Sequence, residues 1–464
     1  MIERKESMKR QKKEPITAEQ QRERMLTMPM PKLILSMIIP TVLCQLITVF
    51  YNTADTFFVA RIGTSAAAAV GIVFSLQSIM QAYGYAVGTG VGSLVARCLG
   101  AAQYEAAERY VATSAVMAVA GALVIMTPCL LFLEPLMHLL GSTETILPYS
   151  MDYAFYILLG CPFMCLQSTL GCILRNEGEP TYAVMGTISG GFLNLVLNPV
   201  LIFGLGWGIR GAGIATSLGQ VLSTVILLAA FYNGKSAVAL RLRSTSKNWQ
   251  DYTEIFTTGI PTLSRQGMAS VGSAVLNICA ARYGDAAVAA ITIANKIYLF
   301  VRNIVIGVGQ GFQPAAGFNF SAGKKKRTRD AFVFCTQLGT VICLAFALAI
   351  GFNAEMVMGW FRDDAEVLAV GRPALIAACV VMPMMAYSTF VNQLYQCLGF
   401  KVQATFLACC RNGFCLIPVV FILPFFLGIY GIALAQPVAD LLTFLISLPF
   451  QTAFFKYKLS EEGA

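Results

Sequence analysis

Apolar stretches long enough to cross a bilayer recur along the whole chain, separated by short polar breaks rich in Gly, Pro, Lys and Arg. The pattern predicts twelve helices, at residues 33–58, 66–94, 107–132, 149–172, 181–204, 211–232, 254–280, 287–319, 330–352, 369–394, 402–424 and 428–453. Each has roughly the 20 residues that span hydrocarbon. Two polar stretches interrupt the series. They divide the chain into an N-terminal tail (1–32), an N-lobe (33–232), a linker (233–253), a C-lobe (254–455) and a short C-terminal tail (456–464). The expected fold class is an all-α polytopic membrane protein.

Composition agrees. Hydrophobic residues make up 57% of the 464 positions and charged residues only 12%, against about 25% charged in a soluble domain. The mean hydropathy is +0.68. This excludes a soluble globular enzyme, a disordered chain and a secreted disulfide scaffold. The 14 cysteines fall inside apolar runs, as Cys161, Cys165 and Cys172 do, and read as small buried residues. His138 is the single histidine, which excludes a histidine-rich metal site. Residues 1–32 are polar, with no apolar core followed by a small-residue cleavage site, so no cleavable signal peptide is expected.

The net charge of +9 does not point to nucleic acid, because the cations sit in short clusters between spans. Nine lie in residues 1–32 and five between Lys324 and Arg329. Segments on the tail's side hold 24 Lys and Arg and those on the other side five. That bias places both termini in the cytoplasm, beside anionic lipid.

A repeat organises the spans. One offset of 221 residues maps Pro40 to Pro261, Gln45 to Gln266, Arg61 to Arg282, Gly63 to Gly284, Gly88 to Gly309, Gly90 to Gly311, Pro162 to Pro383 and Gly178 to Gly399. One register held over so long a stretch predicts two six-helix lobes of equal topology, related by a pseudo-two-fold axis along the membrane normal. Duplications of this kind suit alternating access, with the lobes rocking about a site between them.

Polar side chains inside spans must face other helices or a watery cavity. Thr41, Gln45, Thr48, Asn52 and Asp55 share one face of the first span, which ends in a carboxylate. Gln77, Gln81 and Tyr85 follow in the second span, and Asn194 and Asn198 in the fifth. The seventh span repeats the pattern with Gln266, Ser270, Ser273 and Asn277, but Leu276 stands where Asp55 maps, so the lobes differ chemically. The C-lobe instead holds Arg265, Lys296, Arg302, Arg411 and Asp440. Arg411 and Asp440 lie on consecutive spans and are expected to pair as a structural contact.

The glycine runs Gly88-Thr-Gly90-Val-Gly92 and Gly307-Val-Gly309-Gln-Gly311 lie in apolar helices without a preceding strand, and read as close helix packing rather than dinucleotide loops. Gly323-Lys324 lacks the rest of a P-loop. With no nucleotide motif, active transport would draw on an ion gradient or a partner.

These residues resemble the MATE family, the multidrug and toxic compound extrusion transporters, within the multidrug/oligosaccharidyl-lipid/polysaccharide flippase superfamily. The likeness is carried by Asn52-Thr-Ala-Asp55 with Arg61-Ile-Gly63, and by Asn194-Leu-Val-Leu-Asn198-Pro199. It continues in Gly206-Trp-Gly208-Ile-Arg-Gly211-Ala-Gly213-Ile-Ala-Thr216, Gly259-Ile-Pro261, Arg282-Tyr-Gly284 and Gly309-Gln-Gly311-Phe-Gln313-Pro314. The resemblance implies a bacterial-type plasma-membrane antiporter, monomeric and without a cofactor. It would export organic cations or amphiphilic drugs in exchange for H⁺ or Na⁺ and so confer drug resistance. Asp55 matches the family's acidic first-span residue, tied to cation coupling, and Asn194 its fifth-span Asn. The expected coupling set is Asp55, Asn52, Asn194, Asn198 and Thr48, with any Na⁺ at Asp55. The expected cavity set is Gln45, Gln81, Tyr85, Gln266, Arg302, Tyr387 and Asn392. The chain departs from the pattern at Asn198, where many relatives have Asp, and in its seventh span, which has no Glu. Two other readings stay open: a lipid-linked saccharide flippase, which calls for a more cationic cavity, and an intramembrane enzyme, for which the spans show no nucleophile with a base.

Overall fold

The computed structural model describes residues 17–361 and 364–459, apart from the side chains of Asn52, Asp285 and Ala286. A short helix, α1 (Ala18–Thr27), precedes the first span. The N-lobe comprises α2 (Met30–Ala60), α3 (Thr64–Gly100), α4 (Tyr104–Leu131), a short α5 (Leu133–Leu139), α6 (Leu147–Asn176), α7 (Pro180–Pro199) and α8 (Gly208–Tyr232), with a π stretch, Val200–Gly204, prolonging α7. The C-lobe comprises α9 (Trp249–Ala281), α10 (Asp285–Ser321), α11 (Lys325–Phe352), a short α12 (Ala354–Gly359), α13 (Ala365–Cys397), α14 (Lys401–Cys409), α15 (Leu416–Leu427), α16 (Ile429–Ala433) and α17 (Ala435–Lys458). A second π stretch, Cys410–Cys415, joins α14 to α15.

Eleven of the helical spans among the described residues are long and apolar enough to cross a membrane. The twelfth, α9, has 33 residues but carries Asp251, Glu254, Arg265 and Gln266. It starts five residues earlier than its hydropathy suggests, because the Asn248 side chain caps it by accepting from the Gln250 amide. The linker is correspondingly shorter, residues 233–248.

The repeat reappears in the helix ends. With the same offset of 221, Ala60 maps to Ala281, Gly100 to Ser321, Tyr104 to Lys325, Leu131 to Phe352, Asn176 to Cys397 and Pro180 to Lys401. The turn residues match too: Gly178 and Gly399 both have positive φ, as do Ala102 and Gly323.

The lobes press together through the halves of α2, α3, α9 and α10 nearest the chain termini. Glycine makes the approach possible. A Cβ on Gly90 would lie 2.1 Å from the Ile255 carbonyl oxygen, and one on Gly259 2.0 Å from that of Ala86. Gly307 and Gly311 receive the backbone of α2 at Val42 and Ile38 in the same way. Backbone contact this close is how small residues drive helix association in lipid. Polar pins lie in the same half: Thr41 Oγ1 donates to the Gly307 carbonyl (2.8 Å), Thr89 Oγ1 to Thr262 Oγ1 (2.9 Å), Tyr110 Oη to Glu254 Oε2 (2.8 Å) and Arg175 Nη1 to Gln310 Oε1 (3.1 Å). Arg109 pairs with Asp251 at 3.0 Å. Among the described residues, the opposite halves of the lobes share no hydrogen bond.

Residues 17–28 cross this closed side. Thr17 and Gln20 form a capping box at the start of α1. Gln21 and Arg22 donate to the Glu177 and Gly100 carbonyls of the N-lobe. From the C-lobe, Asn319, Lys324 and Arg327 donate to the carbonyls of Met25, Leu26 and Met28.

Candidate functional site

The polar face of α2 serves two neighbours in turn. Near the closed side Thr41 meets the C-lobe; towards the far end of the helix Asp55 meets α7 of its own lobe. Gly191 of α7 lies against the Tyr51 ring, so the two helices approach closely just there. Asn198 Nδ2 donates to Asp55 Oδ1 at 2.7 Å and to Asn194 Oδ1 at 3.2 Å. Asn194 Nδ2 donates in turn to Thr216 Oγ1 of α8 at 3.1 Å, and that hydroxyl donates to the Ala212 carbonyl. Asn194 and Asn198 are four residues apart, so one helix face presents both amides to Asp55.

Asn198 Oδ1 is buried and has no hydrogen-bond partner. The nitrogen of the same amide is held by the Asp55 carboxylate and the Asn194 amide oxygen. An orphaned amide oxygen next to a carboxylate is a set of hard oxygen ligands, the donor type that suits a desolvated alkali cation. The residues present therefore fit Na⁺, and the carboxylate alone fits H⁺.

The structure thus brings together Asp55, Asn194 and Asn198, and adds Thr216. Thr48 stands apart, two turns away, with its hydroxyl donated to the Cys44 carbonyl at 2.8 Å. The side chain of Asn52 lies outside the described residues.

The expected cavity residues divide. Gln45, Gln81, Tyr85 and Gln266 are half-buried, and none of their side chains hydrogen-bonds to protein among the described residues, which leaves them to water or cargo. Tyr387 and Asn392 make their hydrogen bonds inside the C-lobe. Tyr387 Oη donates to Gln451 Oε1 (3.1 Å) and its ring meets Phe332 and Phe444 edge-on, while Asn392 Nδ2 donates to the Ala404 carbonyl (2.7 Å).

The C-lobe has its own polar centre. Arg411 Nε donates to Asp440 Oδ1 at 2.5 Å and Nη2 to Asp440 Oδ2 at 3.3 Å, so the expected pair forms. Tyr298 Oη also donates to Asp440 Oδ2. Arg411 Nη2 donates to Tyr298 Oη at 3.1 Å, and Gln436 Nε2 to Asp440 Oδ1 at 3.3 Å. The π stretch carries Arg411 and so sets its aim. A cavity of about 20 Å³ adjoins the pair, bounded by Asn295, Tyr298, Gln436 and Asp440, with room for about one water. Arg302, one turn beyond Tyr298, is half-buried in the same interior.

Two repeated six-helix lobes, packed together on one side and each holding a polar centre among its spans, define a multi-pass membrane protein of the transporter type. The family model MatE matches residues 40–200 and again 261–422, once per lobe. The chain belongs to the MatE family of membrane transporters. It is 24% identical over 423 residues to the multidrug export protein MepA of Staphylococcus aureus (strain MSSA476), covering 90% of this chain and 93% of that one. To the protein of the same name from Staphylococcus saprophyticus it is 24% identical over 414 residues, with 88% and 91% covered. Its fold matches a crystal structure described as MATE in complex with MaL6, with a TM-score of 0.88 at 22% identity, covering 93% of this chain and 98% of that one. The outward-facing conformation of a multidrug resistance MATE family transporter matches equally well, with a TM-score of 0.88 at 22% identity and 93% and 97% covered.

Proposed function

We propose that this protein is a secondary antiporter of the bacterial plasma membrane that exports cationic or amphiphilic drugs in exchange for H⁺ or Na⁺. The observation that carries the reading is the Asp55–Asn198–Asn194 cluster, an intramembrane carboxylate beside an orphaned buried amide oxygen. A charged group there is costly unless hydrated, paired or ligating. It therefore favours a bound cation when the lobe is dry and releases it when the lobe is wet.

Exchange requires the cation and the cargo to favour opposite arrangements of the lobes. The glycine-lined contact gives one arrangement, closed on the side of the termini. The basic-residue bias makes that side cytoplasmic, so the cleft opens outward. Gln45, Gln81, Tyr85 and Gln266 offer polar groups to cargo between the lobes, and Arg302 within the C-lobe. Asn198 has no titrating group and acts by orienting Asp55 or by ligating. The spans hold no nucleotide motif, so the work comes from the gradient. The names of the staphylococcal relatives support multidrug export.

The reading is tested in proteoliposomes carrying the full chain, with imposed Na⁺ and H⁺ gradients applied separately and a fluorescent amphiphilic dye as cargo. Dye movement driven by one of the gradients without ATP is the expected result. Movement that follows ATP and ignores both gradients would reject antiport.

A further inference from the structure

The two lobes repeat one topology but carry opposite charge in their interiors. On the facing polar stretches of α2 and α7 in the N-lobe the charged group is Asp55, while the buried Arg175 sits at the end of α6 on the closed side. In the C-lobe, Arg265, Arg302 and Arg411 stand against Asp440 as the lone carboxylate in the middle of its spans among the described residues. These arginines come from three different elements, α9, α10 and the π stretch before α15. Arg302 nonetheless stands one helical turn from Tyr298, whose ring centre lies 5.4 Å from the Arg411 guanidinium. Three guanidiniums have been gathered at mid-membrane depth, where even one is expensive.

Their compensation is unequal. Arg411 takes both oxygens of Asp440, and its guanidinium lies 5.4 Å from the centre of the Tyr298 ring. Tyr298 and Gln436 use the remaining capacity of that carboxylate. Arg265 and Arg302 make no hydrogen bond or ion pair among the described residues, and both are only half-buried. A structural role would have matched each guanidinium with an acceptor, since a buried cation without one costs several kcal/mol. Two free forks beside a saturated pair are instead the arrangement that grips a planar oxyanion bidentately.

We propose that Arg265, Arg302 and Arg411 form a binding site for the oxyanion, carboxylate or phosphate, of an amphiphilic cargo. The site rests on the exporter reading for its cargo, and narrows that cargo to molecules with an anionic group on an apolar body. Asp440 then does two things. It holds Arg411 in place and competes with the ligand's oxyanion for that guanidinium. The oxyanion can belong to a free amphiphile or to an anionic lipid headgroup, and the test separates these sources.

The probes are 9-anthracenecarboxylate, its methyl ester and 9-anthracenylmethylamine, which share one ring system and differ in charge. Binding to the full chain in nanodiscs is measured by equilibrium dialysis against empty nanodiscs, with no gradient applied. The carboxylate should bind more tightly than the ester or the amine. Arg302→Gln should weaken the carboxylate by about tenfold or more, the loss of one or two charge-assisted hydrogen bonds, and leave the ester unchanged. Arg302→Lys should restore part of the loss. Asp440→Asn removes the competitor and should tighten carboxylate binding, a change of sign that damaged packing does not produce. If binding to the wild type falls in phosphatidylglycerol nanodiscs relative to phosphatidylcholine ones, and Arg302→Gln abolishes that difference, the lipid headgroup occupies the site. If lipid has no effect, a free amphiphile does. Equal binding of the three probes, or a carboxylate affinity indifferent to both Arg302→Gln and Asp440→Asn, overturns the proposal. The exporter reading is judged separately by gradient-driven dye movement, which such a result would leave standing.

Discussion

Asn198 Nδ2 lies 2.7 Å from Asp55 Oδ1, so an amide on α7 holds the carboxylate on α2. This contact gives the Asn at position 198 a specific part in the site. An Asp there would set a second negative charge against Asp55; an Asn supplies a donor and leaves its oxygen free. Asn198→Ala removes one hydrogen bond to a charged group, worth about 1.5–3 kcal/mol. Gradient-driven efflux should fall by about tenfold but persist. Dye efflux from inverted vesicles checks this, and wild-type rates in Asn198→Ala would show that the amide plays no part.

The site was partly legible in the sequence. The polar face of α2, the Asn194–Asn198 spacing and the one carboxylate on those polar faces all follow from residue order. Which residue faces which partner does not, because it depends on how the helices are rotated in the bundle. Thr216 was passed over for that reason, as its hydroxyl matters through Asn194 alone. The hydrogen bonds of Tyr387 and Asn392 to Gln451 and Ala404 are equally illegible, because a polar residue in a span reads the same whatever its neighbour. The repeat, by contrast, was legible to the residue, since the glycines that end helices recur in register. The start of α9 and the capping box of α1 rest on Asn248, Thr17 and Gln20, short polar signals that hydropathy overrides. The π stretch that aims Arg411 leaves no mark in the sequence.

The closed side of the interface depends on glycine at Gly259, where a Cβ would sit 2.0 Å from the Ala86 carbonyl oxygen. That neighbour is backbone and cannot yield cheaply. Gly259→Val should lower the melting temperature and favour the arrangement open toward the termini. Labelling of a cysteine at Thr262, buried in this structure, should accelerate by several-fold in the Gly259→Val background. Unchanged labelling and melting would mean that the lobes do not close through this contact.

Orientation is checked at Lys325, the first residue of α11 and part of the basic cluster there. A cysteine placed there, in a background freed of native cysteines, should react with an impermeant thiol reagent in inverted vesicles and not in intact cells. Reaction from outside intact cells would reverse the topology.

Glu177 follows α6 just outside its span, wholly buried, with Ser236 Oγ donating to Oε2 at 2.6 Å and the Ala237 amide at 3.0 Å. Burial pushes its carboxyl up to about 8, against the lowering effect of those bonds, and nearby Glu179 adds to the rise. An unfolded glutamate ionises near about 4.3. Between these values the folded state holds the extra proton, so stability falls as pH rises and levels off above about 8. The melting temperature should therefore decline from pH about 5 to about 8 in the wild type, and decline less in Glu177→Gln. Parallel profiles for the two proteins would place the carboxyl's titration elsewhere.

The most direct test of the account compares Asp55→Asn with Asp440→Asn in proteoliposomes under an imposed cation gradient, with dye efflux and cation flux followed together. Asp55→Asn keeps the shape of the side chain and removes the charge that binds the cation. It should abolish gradient-driven efflux while the protein still inserts and binds dye, and Asp440→Asn should keep both fluxes coupled. Loss of coupling in Asp440→Asn, with coupling retained in Asp55→Asn, would move the coupling site to the C-lobe and contradict the account.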